Sequence, residues 1–161
     1  MIIRLAGRRD LPGFLRLAAQ VEHWFGPMVD DPGFTGAVEK HIRRSTALVA
    51  QTGEGCGEDS GTDLLGALLF GGTAPVHKVH WLVVSEQSRR TGVGRALLTD
   101  AARRWVHAPA SLEVVTFGKD HPGAAQSGAR AFYEHLGFTP SAPAPPGPEG
   151  GSRQRYHRAF P

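Results

Sequence analysis

Hydrophobic residues in the first half of the chain form one short run and two helical stripes. The run at 2–6 predicts an opening strand. Apolar positions then recur at the spacing of one helix face through 10–25 and through 31–44. An aspartate begins each stripe, Asp10 the first and Asp31 the second, where its side chain can cap a helix. The chain is therefore predicted to begin with a strand and two helices.

The second half alternates strands with helices. Strands are predicted at 46–51, 63–72, 76–85, 112–118 and 153–160. Helical stripes occupy 93–105 and 125–136, and Gly137 ends the second of them. Polar, glycine-rich residues at 53–61 predict a turn, and the proline- and glycine-rich segment 140–151 predicts a flexible excursion.

The order of these elements predicts an α/β fold with a mixed central sheet of about six to seven strands flanked by about four helices. The strands on either side of helix 93–105 should be parallel because a crossover joins them, whereas the earlier strands are linked as antiparallel hairpins. The length and an apolar content of 40% predict a single domain over 1–161. No membrane span or signal peptide is evident, which predicts a cytoplasmic protein.

Charge and side-chain chemistry argue against several functions. The net charge is +3, but the arginines come as scattered pairs without interleaved aromatic residues, so no nucleic-acid partner is predicted. The one cysteine, Cys56, cannot form an internal disulfide or a cysteine-based zinc site, and we interpret it as a loop thiol. His77 and His80 are three residues apart on a strand and point to opposite faces, so no metal site is predicted.

The turn before helix 93–105 has the composition of an anion site. The segment VVSEQSRRTGVGRALL joins a strand end, a polar turn, two glycines and a helix start. Unpaired N–H groups and the helix dipole favour a phosphate at such a start, and Gly92 and Gly94 let it approach. A dinucleotide fingerprint would need a third glycine where this chain has Leu97, and a P-loop would need Gly-Lys-Ser/Thr. The arginines placed for charge-assisted contacts are Arg89, Arg90 and Arg95.

Two segments carry a family resemblance. Residues 89–94, Arg-Arg-Thr-Gly-Val-Gly, resemble the Arg/Gln-x-x-Gly-x-Gly/Ala signature of the GNAT superfamily of N-acetyltransferases. Residues 129–138, Ala-Arg-Ala-Phe-Tyr-Glu-His-Leu-Gly-Phe, resemble that family's Ala-x-x-Phe-Tyr-x-x-x-Gly-Phe segment. The resemblance implies a sheet splayed between strands 4 and 5, and acetyl-coenzyme A as co-substrate. It divides the chain into an acceptor side at 1–74, an acetyl-coenzyme A-binding core at 75–138 and a C-terminal strand region at 139–161.

The resemblance also implies which residues bind the cofactor. The backbone of Leu82, Val83 and Val84 should pair with the pantetheine arm. The family often has an asparagine where this chain has Gln126, which we expect to contact the cofactor, with Ser127 or Arg130 able to share the role. The amides expected to wrap the pyrophosphate are those of Arg89, Arg90, Thr91, Gly92, Val93, Gly94 and Arg95.

Acetyl transfer needs a base that takes a proton from the amine and a donor that meets the coenzyme A thiolate. Tyr133 is the predicted donor, because a phenol with an ordinary pKa of about 10 stays protonated at neutral pH and the family's tyrosine often has this role. His80 is the predicted base, because an ordinary imidazole pKa of about 6.5 suits the task and some relatives, such as the arylalkylamine N-acetyltransferases, resemble the chain here. The other bases to consider are Glu22, His23, His121 and water.

The acceptor is expected to be the primary amine of a small molecule. Its groove is predicted between the two N-terminal helices and the loop WFGPMVDDPGF. Acidic residues that could attract a cationic amine there are Glu22, Asp30, Asp31 and Glu39. A protein N-terminus or lysine is an alternative acceptor, and a non-catalytic coenzyme A sensor is an alternative function. Exposed sheet edges would also allow a homodimer.

Overall fold

One mixed sheet organises the computed structural model, which describes residues 1–53 and 63–161. Within those residues its strands are β1 Ile2–Leu5, β2 Ala47–Gln51, β3 Gly66–Thr73, β4 Val76–Val84, β5 Ala110–Phe117, β6 Thr139–Ala144 and β7 Arg153–Phe160. The strand order is β1-β2-β3-β4-β5-β7-β6. The pair β4–β5 is parallel, and the pairs β1–β2, β2–β3, β5–β7 and β6–β7 are antiparallel. The predicted mixed α/β fold is confirmed. Most of the predicted turn at 53–61, with Cys56, lies outside the described residues.

The helices among the described residues are α1 Leu11–Ala19, α2 Glu22–Phe25, α3 Pro32–Arg43, α4 Val93–Trp105, α5 Pro122–Ser127 and α6 Ala129–His135. Two predicted stripes are each divided in two. The stripe at 125–136 is interrupted at Gly128, whose φ of 70° lies in the left-handed region that ends a helix. No helix in the described ranges is both long and apolar enough to cross a membrane.

The two aspartates predicted as helix caps behave differently. Asp31 caps α3, because its Oδ1 accepts a hydrogen bond from the Gly33 N–H at 2.9 Å. The same expectation for the side chain of Asp10 is wrong. Asp10 is fully buried and accepts both guanidinium bonds of Arg4, each at 2.8 Å, together with the Gly7 N–H at 2.7 Å. A buried carboxylate needs such charged partners, and this requirement outweighs the local cap.

The segment predicted as a flexible excursion contains a strand. Thr139–Ala144 forms β6 at the edge of the sheet and pairs with β7, with a register irregularity between Pro140 and Pro143. The prediction for these residues is wrong because prolines are compatible with an edge strand, where a missing N–H faces solvent, and with bulges.

The described chain divides into two compact units. The first unit comprises Met1–His23, Pro27–Phe70 and Trp81–Trp105, and the second comprises Trp24–Gly26, Gly71–His80 and Val106–Pro161. Fully buried side chains in the first unit include Phe14, Leu17, Leu48, Leu68 and Leu97, and those in the second include Leu112 and Tyr156. The β4–β5 pairing lies in the second unit and joins Val76–Val79 to Ser111–Val114. The paired residues therefore end at Val79, within β4, as the predicted splay requires.

Candidate active site

The glycine turn of the first unit is held by its own backbone. A single helical turn at Glu86–Ser88 follows β4, and the Ser88 N–H donates to the Ser85 carbonyl at 2.9 Å. The Thr91 hydroxyl donates to the Ser88 carbonyl. Gln20, the residue that follows α1, contributes one contact from outside the segment. Its side-chain oxygen accepts a hydrogen bond from the Glu86 N–H at 2.8 Å. These bonds fix the path of the chain from β4 to α4.

The start of α4 leaves backbone N–H groups outside the helical hydrogen-bond pattern. The first helical bond runs from the Ala96 N–H to the Gly92 carbonyl at 3.0 Å. The N–H groups of Val93, Gly94 and Arg95 therefore precede the first helical bond and have no intrahelical acceptor. Gly92 has a φ of 89°, and a Cβ added to it would meet no atom within 4 Å.

Three arginines lie next to this start in the chain. Arg90 and Arg95 are exposed, and Arg89 is half-buried. Arg90 itself has a φ of 63°, an uncommon conformation for a residue with a side chain. Amides without an intrahelical acceptor, open space beside Gly92 and arginines adjacent in the chain are the features expected of a pyrophosphate site.

Close packing brings the end of β4 against the start of α4. A Cβ on Gly66 of β3 would lie 3.0 Å from the Val83 carbonyl oxygen, 3.0 Å from Val93 Cγ1 and 3.2 Å from Leu97 Cδ1. Val83 is buried, while Leu82 and Val84 are half-buried. Gly66 thus lets three elements approach, and the predicted pantetheine strand is held beside the predicted pyrophosphate turn within the first unit.

Trp81 is a residue that the sequence analysis missed. Its indole ring packs on Phe14 of α1, with a centroid distance of 5.9 Å, and on Phe34 of α3, at 5.4 Å. Its Nε1–H is buried and finds no hydrogen-bond acceptor among the described residues. Since buried N–H groups are normally paired, this one is a candidate donor to a ligand. Sequence gives no signal for it, because only the structure shows that its indole N–H is buried without an acceptor.

Tyr133 of α6 lies in an aromatic cluster of the second unit. Phe132 and Phe138 contact its ring edge-on, at centroid distances of 5.0 and 5.5 Å, and Tyr156 lies at 6.3 Å. Only 6% of Tyr133 is exposed. Burial raises the pKa of its phenol far above the usual value. The phenol is therefore neutral at physiological pH and can donate a hydrogen bond or a proton.

Gln126 and Arg130 make structural contacts in the second unit. The Trp24 Nε1–H donates to Gln126 Oε1 at 2.9 Å, which leaves the Gln126 amide N–H groups as donors. The Arg130 Nη1 donates to the Phe117 carbonyl at 3.1 Å and to Gln154 Oε1 at 2.7 Å. Their predicted cofactor contacts stay predictions.

His80 of β4 lies over a glycine of the neighbouring strand. A Cβ on Gly71 would come within 2.3 Å of the His80 Cε1, so the imidazole occupies space that any larger residue would fill. His80 is exposed. It lines a cavity of about 280 Å³ in the second unit, together with Lys78, Glu113 and Arg155.

Two of the alternative bases have structural roles. Glu22 accepts the Met28 N–H at 2.6 Å and the Val29 N–H at 3.3 Å, which holds the loop after α2. His121 caps α5 by accepting the Gly123 N–H at 2.8 Å through Nδ1, and its Nε2 lies 3.5 Å from Glu149. No cluster of three or more potential metal ligands occurs within the ranges 1–53 and 63–161.

Solved structures share this fold. The ribosomal-protein-alanine N-acetyltransferase from Brucella melitensis has a TM-score of 0.71 at 19% identity, over 99% of this chain and 100% of that one. The PaiA N-acetyltransferase from Thermoplasma acidophilum, solved with coenzyme A, has a TM-score of 0.69 at 14% identity, over 99% and 98%. The NatC complex bound to Gag peptide and coenzyme A has a TM-score of 0.67 at 12% identity, again over 99% and 98%.

A family model gives the sequence-level assignment. No curated protein matches the chain by sequence. The model described as the acetyltransferase (GNAT) domain matches residues 43–140, which is more than half of the chain and includes the glycine turn and Tyr133. The chain thus belongs to the GNAT family and is an N-acetyltransferase that uses acetyl-coenzyme A.

Proposed function

We propose that this enzyme transfers the acetyl group of acetyl-coenzyme A to the primary amine of a small molecule, with Tyr133 as acid and His80 as base. The environment of Tyr133 is the observation that carries the proposal. Its phenol is buried among aromatic rings that keep it neutral, which is the state that a donor to a thiolate requires.

The cofactor is proposed to bind along the first unit. Its pyrophosphate would lie on the free N–H groups of Val93, Gly94 and Arg95, with the guanidinium groups of Arg90 and Arg95 beside it. The pantetheine arm would follow the backbone of Leu82–Val84. The Trp81 Nε1–H supplies a further donor next to that strand.

The reaction removes one proton from the amine nitrogen and delivers one proton to the coenzyme A sulfur. Acetyl-coenzyme A provides the thioester carbonyl. The amine nitrogen attacks this carbon, a C–N bond forms, and the C–S bond breaks. His80 accepts the proton that the nitrogen loses. Tyr133 gives a proton to the departing sulfur, and the resulting phenolate takes a proton back from water. The exposed imidazole can return its proton to water.

A protein N-terminus is the second candidate acceptor. The fold likeness to a ribosomal-protein-alanine N-acetyltransferase and to NatC with a bound peptide favours it. A small acceptor is favoured by the cavity beside His80, whose volume of about 280 Å³ lies at the lower end of ligand pockets.

Release of free thiol from acetyl-coenzyme A, measured with a panel of small amines and alanine-starting peptides, tests the proposal. We expect Tyr133→Phe to lower kcat about 100-fold, the contribution of one proton-transfer group, while acetyl-coenzyme A still binds. His80→Ala should remove the acidic limb of the pH-rate profile. His107→Ala is the matched control, since His107 is also exposed in the second unit.

Three outcomes would revise the proposal. Wild-type rates in Tyr133→Phe would remove the proposed acid. An unchanged pH profile in His80→Ala would move the base to another group or to water. Turnover of peptides alone would replace the small molecule by a protein acceptor.

A further inference from the structure

The cavity beside His80 is also lined by charged side chains that have no role in the proton transfers of the proposed reaction. Residues of three strands of the second unit line it, among them Lys78 and His80 of β4, Glu113 and Val115 of β5 and Arg155 of β7. It lies where the parallel pairing of β4 and β5 ends, beside the last registered pair, Val79 and Val114. Its volume of about 280 Å³ suits a molecule of amino-acid size better than a large metabolite.

The cavity contains one more positive charge than its internal contacts neutralise. The Arg155 Nε lies 3.3 Å from Glu113 Oε1, and its Nη1 donates to the Pro143 carbonyl at 3.3 Å. Within the described residues no carboxylate lies at ion-pair distance from the Lys78 ammonium. Lys78 is exposed at the cavity, and its charge is therefore available to a ligand. An anionic group gains a charge-assisted bond there, whereas a polycation is repelled.

The spacing along β4 relates this charge to the base. Lys78 and His80 are two residues apart on the strand and project from the same side, with Cα atoms separated by about 6.6 Å at the usual rise. A molecule that places a carboxylate at Lys78 and an amine at His80 needs those two groups only a few bonds apart. α-Amino acids and their close homologues have this separation.

We propose that the acceptor is a small amine that carries a carboxylate, an amino acid or close analogue. Lys78 binds its carboxylate, with the Arg155 guanidinium beside it, and His80 receives its amine. Glu113 forms an ion pair with Arg155, which orients the guanidinium and neutralises its charge. This inference rests on the proposed function, because it names the substrate class of the same acetyl transfer.

The test compares the twenty amino acids with their carboxamides, each pair differing only in the anionic group. With wild-type enzyme we expect kcat/KM for the best acid to exceed that of its amide by about tenfold to 100-fold, the ratio that one charge-assisted bond supplies. Lys78→Met should bring this acid-to-amide ratio toward one, and Lys78→Arg should restore it. Lys119→Met is the matched control, because Lys119 is exposed and does not line the cavity.

The outcomes separate this inference from the proposed function. Equal rates for acids and amides, or an equal loss for both in Lys78→Met, would overturn the carboxylate site while acetyl transfer stands. Turnover confined to peptides or polyamines would overturn it too. If no amine is acetylated, the carboxylate site is tested by calorimetric titration of each acid and amide into the coenzyme A complex. Binding of acids but not amides, lost in Lys78→Met, would support the site, and absence of binding would refute it.

Discussion

The glycine turn of the first unit and the polar cavity of the second reach their geometry by different routes. The turn from Ser85 to Arg95 is one continuous segment whose bonds are almost all local. The cavity is lined by residues of β4, β5 and β7, which are far apart in the chain. It also depends on Gly71 of β3, which leaves space for the His80 ring. The proposed cofactor motif is therefore local, while the side chains proposed to select an acceptor are brought together by the sheet.

This difference predicts how each region fails. A substitution in the turn should act on cofactor affinity and leave the cavity unaffected. A substitution that disturbs the packing of the second unit should act mainly on turnover or stability. The four changes below test this contrast.

The largest effect is expected for Gly92→Ala. The new Cβ would enter the open space beside Gly92 and displace a phosphate from the amides. Acetyl-coenzyme A affinity should therefore fall about 100-fold, which is the upper value for the loss of one charge-assisted bond. Calorimetry measures this. Gly150→Ala is the control, since Gly150 also has a positive φ and open surroundings and should lose only about 1–2 kcal/mol of stability. Equal affinity losses in both variants would contradict a phosphate site.

Gly71→Ala is expected to act on turnover. The added Cβ conflicts with the His80 ring, which must move, and a misplaced base should lower kcat about tenfold to 100-fold. Acetyl-coenzyme A affinity should not change. Steady-state kinetics measures kcat, and calorimetry measures the affinity for acetyl-coenzyme A. Gly36→Ala serves as control, because a Cβ at Gly36 would meet no atom within 4 Å. Unaltered kcat would mean that the position of His80 is unimportant.

Gln126→Leu is expected to reduce stability. The Trp24 Nε1–H would lose its acceptor while Trp24 stays buried, at a cost of about 1–2 kcal/mol. Urea unfolding followed by tryptophan fluorescence measures this loss. Gln126→Glu retains an acceptor oxygen and should lose less. If both variants unfolded like wild type, the hydrogen bond would contribute nothing measurable.

The smallest effect concerns Tyr133 at alkaline pH. Burial raises the pKa of the folded phenol, so above pH 10 the unfolded chain releases this proton first and the free energy of unfolding falls as pH rises. Relative to Tyr133→Phe, wild type should lose up to about 1.4 kcal/mol for each pH unit above about 10. Urea unfolding at pH 9, 10 and 11 tests this. Parallel pH curves for the two proteins would show that the phenol is not desolvated.

The sequence by itself predicted what local rules specify. Strand and helix positions, the cap at Asp31 and the mixed sheet follow from periodicity and from residues with one conformational role. The glycine turn could be read as a phosphate site because its amides, glycines and arginines are adjacent in the chain. The family resemblance rested on two such contiguous segments, and the family model confirms it.

The partners of the polar side chains depend on how distant elements pack. Asp10 meets Arg4 and not the helix N–H groups, and Gln126 meets Trp24, which is 102 residues away. Gly71 receives the His80 ring, and Lys78 and Arg155 line one cavity. The physical reason is that desolvation and steric contact depend on which elements pack together, and residues distant in the chain contribute to both. Residue spacing specifies a turn, whereas burial specifies which charges remain available to bind a substrate.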